Sequence, residues 1–512
     1  MKVLLLKLPY CRHPEAAPRT DFRTSNSYRP MPSLALAALS GFLKAYGPAA
    51  LEIECVDSNL WGYASTSCER SMMRPSLEVT IKSRDYDLLG ISVPFSYNWR
   101  WLKDAVKFHQ EHHPDSGLVL GGAGVAALSA PQQERGVAVG NILKGEGEEG
   151  FLNRLTPPFK MDIFNLWQNL EALPIPDWGA LDLDAYFAAN PDRTLPIEAS
   201  RGCPYGCSYC TVTETWGPKV RYKSTHQVLR EIVALHMRFG VKKVHFVDDN
   251  LSFNREWFQH FLELFRQSKL PVQLDASNFS IKHLDEQLAE LMVGCGFKRV
   301  SVAIESASPQ IQRKTGKKLD LEKAAAQVKM LKASGLQVHL CWMLGFPGET
   351  PDQILKTLHL AKQLKATSNQ FLTVTPLPGT RLWAEAKEAG VLADIPLDAL
   401  DCRGARPFKN QEWTYDWLEE RIYDANIQCN FLGNPLQRNN RLAFKAYLEG
   451  VVTNHPGHVI AEILLGWLST GAQRDALWDA AQKHLETEAG AVFKKYLDAA
   501  HPAIAAFKES PR

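Results

Sequence analysis

Apolar and polar positions alternate at two periods along this chain. Short apolar runs bounded by glycine or polar clusters recur, and longer stretches with apolar residues at helical spacing lie between them. In the first part, residues 2–7, 51–56, 87–93 and 118–120 read as strands, and 33–46 and 99–113 as helices. From 195 to 390 six further strand–helix units follow. Their strands are expected at 195–200, 243–248, 272–276, 300–305, 338–344 and 370–375. Helical stretches fall at 226–239, 254–267, 321–333 and 352–364. Strands alternating with helices predict parallel sheets covered on both faces. Six units rather than eight predict an open (β/α)6 barrel, with polar groups for chemistry at the carboxyl ends of its strands. After 391 the pattern is helical, at 412–431, 439–447, 457–468 and 473–484. The expected class is therefore α/β. A doubly wound, Rossmann-like domain spans 1–152, a linker 153–194, a partial barrel 195–390, and a helical domain 391–512 that would cap the barrel mouth.

Composition narrows the class without naming a reaction. The chain has 512 residues, 45% of them apolar, and a formal net charge of +2. No strong field steers it to nucleic acid or to an anionic membrane. Ten cysteines are spread thinly, which suits a reducing cytoplasm better than a secreted disulfide framework. The apolar run at the N-terminus is too short for a signal peptide and reads as a strand. No apolar stretch is long enough for a membrane span.

The chemistry concentrates at SRGCPYGCSYC, residues 200–210. Cys203, Cys207 and Cys210 supply three thiolates and no fourth. Closed electron-transfer clusters take four cysteines, so three would leave one iron of a [4Fe–4S] cluster open to a ligand. A structural zinc site, the bland reading, wants four protein ligands, and no partner CxxC pair occurs elsewhere. Other polar groups end predicted strands: Asp249 and Asn250, Glu305 and Ser306, Gly345 in GFPGE, and Pro376 in TPLPGT. An aspartate pair before a helix is often only a cap. His339, Cys341 and Trp342 read as packing on the fifth strand, and Cys295 as packing at a helix end. In the first domain, Ser92 closes one strand, Gly121 and Gly122 another, and Glu146 lies in KGEGEE. Glycines at strand ends let backbone approach a large flat ligand.

The cysteine loop resembles that of radical S-adenosylmethionine (SAM) enzymes. The ordered glycine signatures, with the stretch 28–34, resemble the cobalamin-binding domain that precedes some of their barrels. The resemblance spans residues 1 to 390. It implies that Cys203, Cys207 and Cys210 bind a [4Fe–4S] cluster. Asp249 and Asn250 would meet the methionyl amine of SAM, Glu305 and Ser306 its ribose, Gly345 its adenosine, Pro376 its adenine, and Arg221 a carboxylate. It further implies that Ser92, Gly121, Gly122 and Glu146 line a cobalamin groove. No Asp-x-His-x-x-Gly loop occurs, and His13 lacks that context. Cobalamin would thus sit with its own base displaced and no protein histidine on cobalt. The implied activity is methylation of an unactivated carbon or phosphorus of a small molecule, with an electron donor such as flavodoxin or ferredoxin as partner. Transfer of the 3-amino-3-carboxypropyl group of SAM, and radical ring formation or rearrangement without methyl transfer, are the competing reactions. A cobalamin- or SAM-binding protein without turnover is the non-enzymatic alternative, and a nucleic-acid substrate fits the near-neutral charge poorly.

Overall fold

The computed structural model describes residues 1–9, 31–61, 70–95, 98–126, 142–155, 169–395, 400 and 406–510. Strands β1 (Lys2–Lys7), β2 (Glu52–Asp57), β3 (Leu88–Ser92) and β4 (Gly117–Gly121) form a parallel sheet in the order β2-β1-β3-β4. The run Val3–Leu6 is apolar throughout because both of its faces are covered. Leu4 and Leu6 pack with Leu77 and Leu102, whereas Val3 and Leu5 join the core shared with the barrel. The helix Arg70–Lys82 was not legible in the sequence, since it contains Pro75. Met73, Leu77 and Ile81, one turn apart, nevertheless bury its inner stripe. The strand order reverses between β1 and β3, where doubly wound sheets bind ligands.

Within the segment placed between the domains, residues 169–194 pack against the first domain. Trp178 is fully buried, and Asp177 accepts hydrogen bonds from Ser40 Oγ (2.7 Å) and Lys44 Nζ (2.6 Å) of the first domain. The barrel strands follow the expected order: β5 (Thr194–Ile197), β8 (Lys243–Phe246), β9 (Gln273–Ala276), β10 (Arg299–Glu305), β11 (Gln337–Leu344) and β12 (Ser368–Thr373). They form two three-stranded parallel sheets, β5-β8-β9 and β10-β11-β12, joined by a single bridge between Phe279 and Val302. The helices between them start at capping side chains: Ser224, Asn254, Asp320 and Thr350 each accept a bond from a first-turn N–H.

The C-terminal helices grip the outer edge of β12. Asn430 is wholly buried; its Oδ1 accepts from Asn369 N (2.7 Å) and its Nδ2 donates to Asn369 O (2.8 Å). One side-chain amide thus satisfies backbone groups that a further strand would otherwise pair. Asn430 lies in a π-helical turn, Ile427–Leu432, after the helix Tyr415–Asn426. The expected continuous helix over 412–431 is therefore shorter. The C-terminal helices cover this edge with their own core around Phe431, Phe444 and Phe493, while Trp413 and Leu418 reach Gly345 at the end of β11.

Candidate functional site

Strand β5 ends at Ile197, three residues short of the expectation. Ser200–Arg201 turn aside and pair antiparallel with Arg221–Tyr222, as β6 and β7. This ribbon closes the loop that carries the three cysteines. Gly202 has φ +99°, and a Cβ there would lie 2.3 Å from Lys219 O, so only glycine lets the loop ends meet. The loop is tied on its far side. Ser208 N donates to Thr315 O (2.8 Å), and Leu382 N donates to Ser208 O (2.7 Å). Tyr205 Oη lies 2.8 Å from His283 Nε2 and 3.1 Å from Ser280 Oγ.

Cys203, Cys207 and Cys210 are free and partly buried. Burial raises the Cys203 thiol pKa and pushes that of Cys210 up to about 11. A bound cation would reverse this, because coordination deprotonates a thiol. The three do not converge around a single ion, and no group of three or more His, Cys, Asp or Glu among the described residues does. A set of thiols spaced along a loop suits a cluster, which offers each thiolate its own iron.

Tyr209, inside this loop, donates from Oη to Glu305 Oε1 (2.9 Å), and Lys317 Nζ lies 3.4 Å from the same oxygen. Glu305 has φ +71° at a register shift where β10 pairs with β11. Bulges of this kind re-aim a side chain beside an active site. Burial would lower the Lys317 pKa, but Glu305 and the nearby Cys207 hold it raised.

At the end of β8 three polar side chains have different duties. Asp248 is buried; both its oxygens accept from Ala199 N (3.2 Å) and Oδ1 accepts from Ser200 Oγ (2.5 Å). It braces the start of the loop, and burial pushes its carboxyl up to about 7. Burial, and then the charge of Glu198, pushes Asp249 up to about 6. Asn250 reaches Cys203 with its side chain, yet its buried Oδ1 has no hydrogen-bond partner. An orphaned amide oxygen beside the thiols fits a ligand's amine.

Four expected contacts are otherwise engaged. Ser306 Oγ accepts from Ser308 N (3.1 Å) and lies 3.3 Å from Thr357 Oγ1, so it shapes a helix start rather than meeting a ribose. Gly345 has φ +89°; a Cβ there would stand 2.9 Å from Leu418 and 3.1 Å from Trp413. C-terminal side chains, not an adenosine, occupy that side. Glu146 gives Oε2 to Arg201 Nη1 (2.8 Å) and Oε1 to Arg221 Nη2. Both guanidiniums are thus turned to protein carboxylates, which corrects the readings of Glu146 as a cobalamin contact and of Arg221 as a reader of the SAM carboxylate. Pro376 lies buried just beyond β12.

Arg201 is the hub that the sequence did not reveal. It is buried and meets Glu198 (2.7 Å), Glu146 (2.8 Å) and Glu148 (2.8 Å) while lying over the Trp216 ring. Two of these carboxylates belong to the first domain, so the pairs bind that domain to the cysteine loop. The lumen of the barrel was also underestimated. Val244, Phe246, Leu274, Val300, Val302, Val338, Leu340 and Trp342 face the helices and are buried. The intervening positions are polar. His245 lies 3.2 Å from Asp275 Oδ2 and 2.7 Å from Ser277 Oγ, and His339 lies 2.7 Å from Ser368 Oγ. Trp342 and Cys295 pack as expected, the latter donating to Leu262 O (3.1 Å). His339 instead belongs to the polar lining, with its pKa pushed down to about 4 by burial and by Arg299.

In the first domain Lys7, Ser92 and Gly121 are register neighbours at the carboxyl edge of the sheet. A Cβ on Gly121 would meet nothing within 4 Å, whereas Gly122 (φ +98°) presses on Val93 O. Among the described residues, nothing lies against Gly121 at this edge. His13 and residues 28–30 lie outside the described residues.

A half-open parallel barrel with three thiols at its mouth, bound to a doubly wound sheet, defines a class of SAM-cleaving iron–sulfur enzyme. The model of the radical SAM superfamily matches residues 197–361. A methyltransferase-named protein of Pyrococcus horikoshii is 33% identical over 331 residues, covering 60% of this chain and 70% of that one. The cytidylyl-2-hydroxyethylphosphonate methyltransferase of Streptomyces wedmorensis is 27% identical, over 43% of this chain and 44% of its own length. Among solved structures, the radical SAM methyltransferase TsrM of Kitasatospora setae, bound to tryptophan and a SAM analogue, aligns with TM-score 0.61 and 16% identity. That match covers 94% of this chain and 98% of TsrM. The chain belongs to the radical SAM superfamily, whose enzymes use SAM and a [4Fe–4S] cluster. It has methyltransferase-named relatives, and no described helix is long and apolar enough to cross a membrane.

Proposed function

We propose that the chain is a cobalamin-dependent radical SAM methyltransferase acting on an unactivated carbon or phosphorus of a small polar molecule in a reducing cytoplasm. The observation that carries this is the three-thiol loop at a barrel mouth, bound through Arg201 to a doubly wound sheet. Residues 1–152 form the corrinoid-binding part, 195–390 the SAM-binding part and 391–512 a helical support. When bound, the cluster supplies the electron that cleaves SAM, and cobalamin supplies the methyl group.

The chain's own residues hold, orient and exclude. Cys203, Cys207 and Cys210 would hold the cluster. Asn250 Oδ1 and the Asp249 carboxyl accept from the methionyl amine. Glu305, braced by Tyr209 and Lys317, accepts from the ribose hydroxyls, because one carboxylate can serve two vicinal O–H donors. Lys317, beside Glu305, would meet the SAM carboxylate. Ser92, Gly121 and Gly122 border the corrinoid. The polar lumen receives a substrate with hydrogen-bonding groups, a fit supported by the phosphonate and tryptophan named for the two similar proteins.

The test is anaerobic reconstitution with iron, sulfide, cobalamin and SAM, followed by mass spectrometry of the SAM-derived products. A methylated product with 5′-deoxyadenosine or S-adenosylhomocysteine is expected. Methylthioadenosine with an added aminocarboxypropyl unit, or a cyclised product, would move the assignment to the competing reactions. In Cys207→Ala, bound iron and SAM cleavage should fall to background while the circular dichroism spectrum stays that of the parent. Full cleavage in that variant would refute the assignment.

A further inference from the structure

Three separate segments bring cations to one rim of the cysteine loop. The first is the end of the helix Pro309–Thr315 and the turn after it, with Arg313, Lys314 and Lys318. It touches the loop directly: a Cβ on Gly316 would stand 3.3 Å from Gly206 O and 3.9 Å from Cys207 Cα. The second is Lys282, whose ammonium lies 5.1 Å from the Tyr205 ring centroid and 3.5 Å from Lys317 O. The third is Arg381, an exposed residue 3.5 Å from that same Gly316 Cβ and next to Leu382, which bonds Ser208 O.

Arg313, Lys314, Lys318 and Lys282 are exposed, and among the described residues none of them makes an ion pair. Arg381 has a loose pair with Glu385 (3.8 Å), and Asp320 pairs with Lys323 (3.9 Å). The whole chain carries a net charge of only +2. The positive potential is therefore local, and it is centred on the backbone that carries Cys207. Lys314 donates to Pro347 O (2.7 Å) and Lys282 rests on Tyr205, so Arg313 and Lys318 are the cations turned outward, and a nucleic-acid track would spread such charges along a groove.

We infer that this rim is the docking surface of a small acidic electron-carrier protein, which delivers electrons at the Cys207 side of the loop. The inference rests on the reading of the three cysteines as cluster ligands. Charge complementarity steers such encounters and makes them sensitive to salt. One electron leaves the carrier's reduced flavin and enters the oxidised cluster. The flavin ends one electron poorer, and no bond on this chain changes. The hydrogen bond from Ser208 N to Thr315 O gives the rim a short connection to the loop.

The test compares the reconstituted full chain with its Arg313→Glu/Lys318→Glu double variant and with Lys483→Glu, an exposed control on the C-terminal helix Gly471–Leu485. SAM cleavage is driven either by dithionite or by reduced flavodoxin, at low and at high salt. The expected result is a flavodoxin-driven rate reduced by roughly tenfold or more at low salt in the double variant, with its salt dependence flattened. Its iron content and dithionite-driven rate should match those of the parent and of Lys483→Glu. Equal flavodoxin-driven rates and equal salt dependence in all three proteins would overturn the docking surface alone. A wild type that dithionite cannot drive would overturn the cluster reading, and the docking surface with it. A double variant that loses iron would show that these cations serve the loop's folding, which also overturns the inference.

Discussion

Glu305 is held in a backbone conformation that L-residues seldom adopt, and it stays there because the bulge and its two partners over-determine it. Its carboxylate stands in the mouth of the barrel beside the cysteine loop. Glu305→Gln keeps the shape but removes the charge. A charge-assisted bond contributes about 1.5–3 kcal/mol, so SAM affinity should weaken by roughly tenfold to a hundredfold, read by equilibrium binding to reconstituted protein. An unchanged affinity would remove Glu305 from the SAM site. His339 offers a second readout. Its pKa is about 4 in the fold against 6.5 for an ordinary histidine. The unfolded chain therefore takes up a proton that the folded chain refuses between these values. Stability present above pH 6.5 should be lost as pH falls toward 4. Replacement by Gln should flatten melting temperature against pH in that window; an unaltered slope would contradict the buried, neutral imidazole.

At the scale of elements, the turn after β11 shows how a distant segment decides a local sequence. Gly345 N and Phe346 N donate to Glu349 Oε2 at 2.8 and 3.1 Å, and Trp413 Nε1 donates to Glu349 O at 2.8 Å. The turn GFPGE is thus held from inside by its own glutamate and from outside by the C-terminal part. Gly345→Ala would combine a positive φ with a Cβ driven against Leu418 and Trp413. A loss of about 1–3 kcal/mol in unfolding free energy is expected from strain of this kind, measured by denaturant titration. Parent-like stability would mean that the contact is slack.

For the whole molecule, the junction between first domain and cysteine loop is centred on the buried Arg201, with Arg221 sharing Glu146. Removing one partner of a buried ion cluster costs about 3–5 kcal/mol, because the charges left behind lose their compensation. Arg201→Leu removes the cation from Glu148 and Glu198 and leaves Glu146 only its pair with Arg221. It should lower the melting temperature and loosen corrinoid retention and the electron-paramagnetic-resonance signature of the reduced cluster together. If corrinoid retention alone changed, Arg201 would serve the first domain and not the junction.

Much of this architecture was legible before any coordinates. Strands with one fully apolar face, caps at helix starts and three spaced thiols are local patterns, and local patterns are written in neighbouring residues. Thus the six barrel strands, the four strands of the first sheet and the cysteine loop lay close to where the sequence placed them. The pairing of Arg201 with Glu146 and Glu148, the approach of Lys317 to Glu305, and the pressure of Trp413 on Gly345 were not legible. Each joins residues 12 or more apart in the chain, so tertiary packing brings them together. The same reason explains why Glu146, Ser306 and Arg221 were misassigned: a side chain's partner is chosen by what the fold places within reach, and a motif records only its neighbours in sequence.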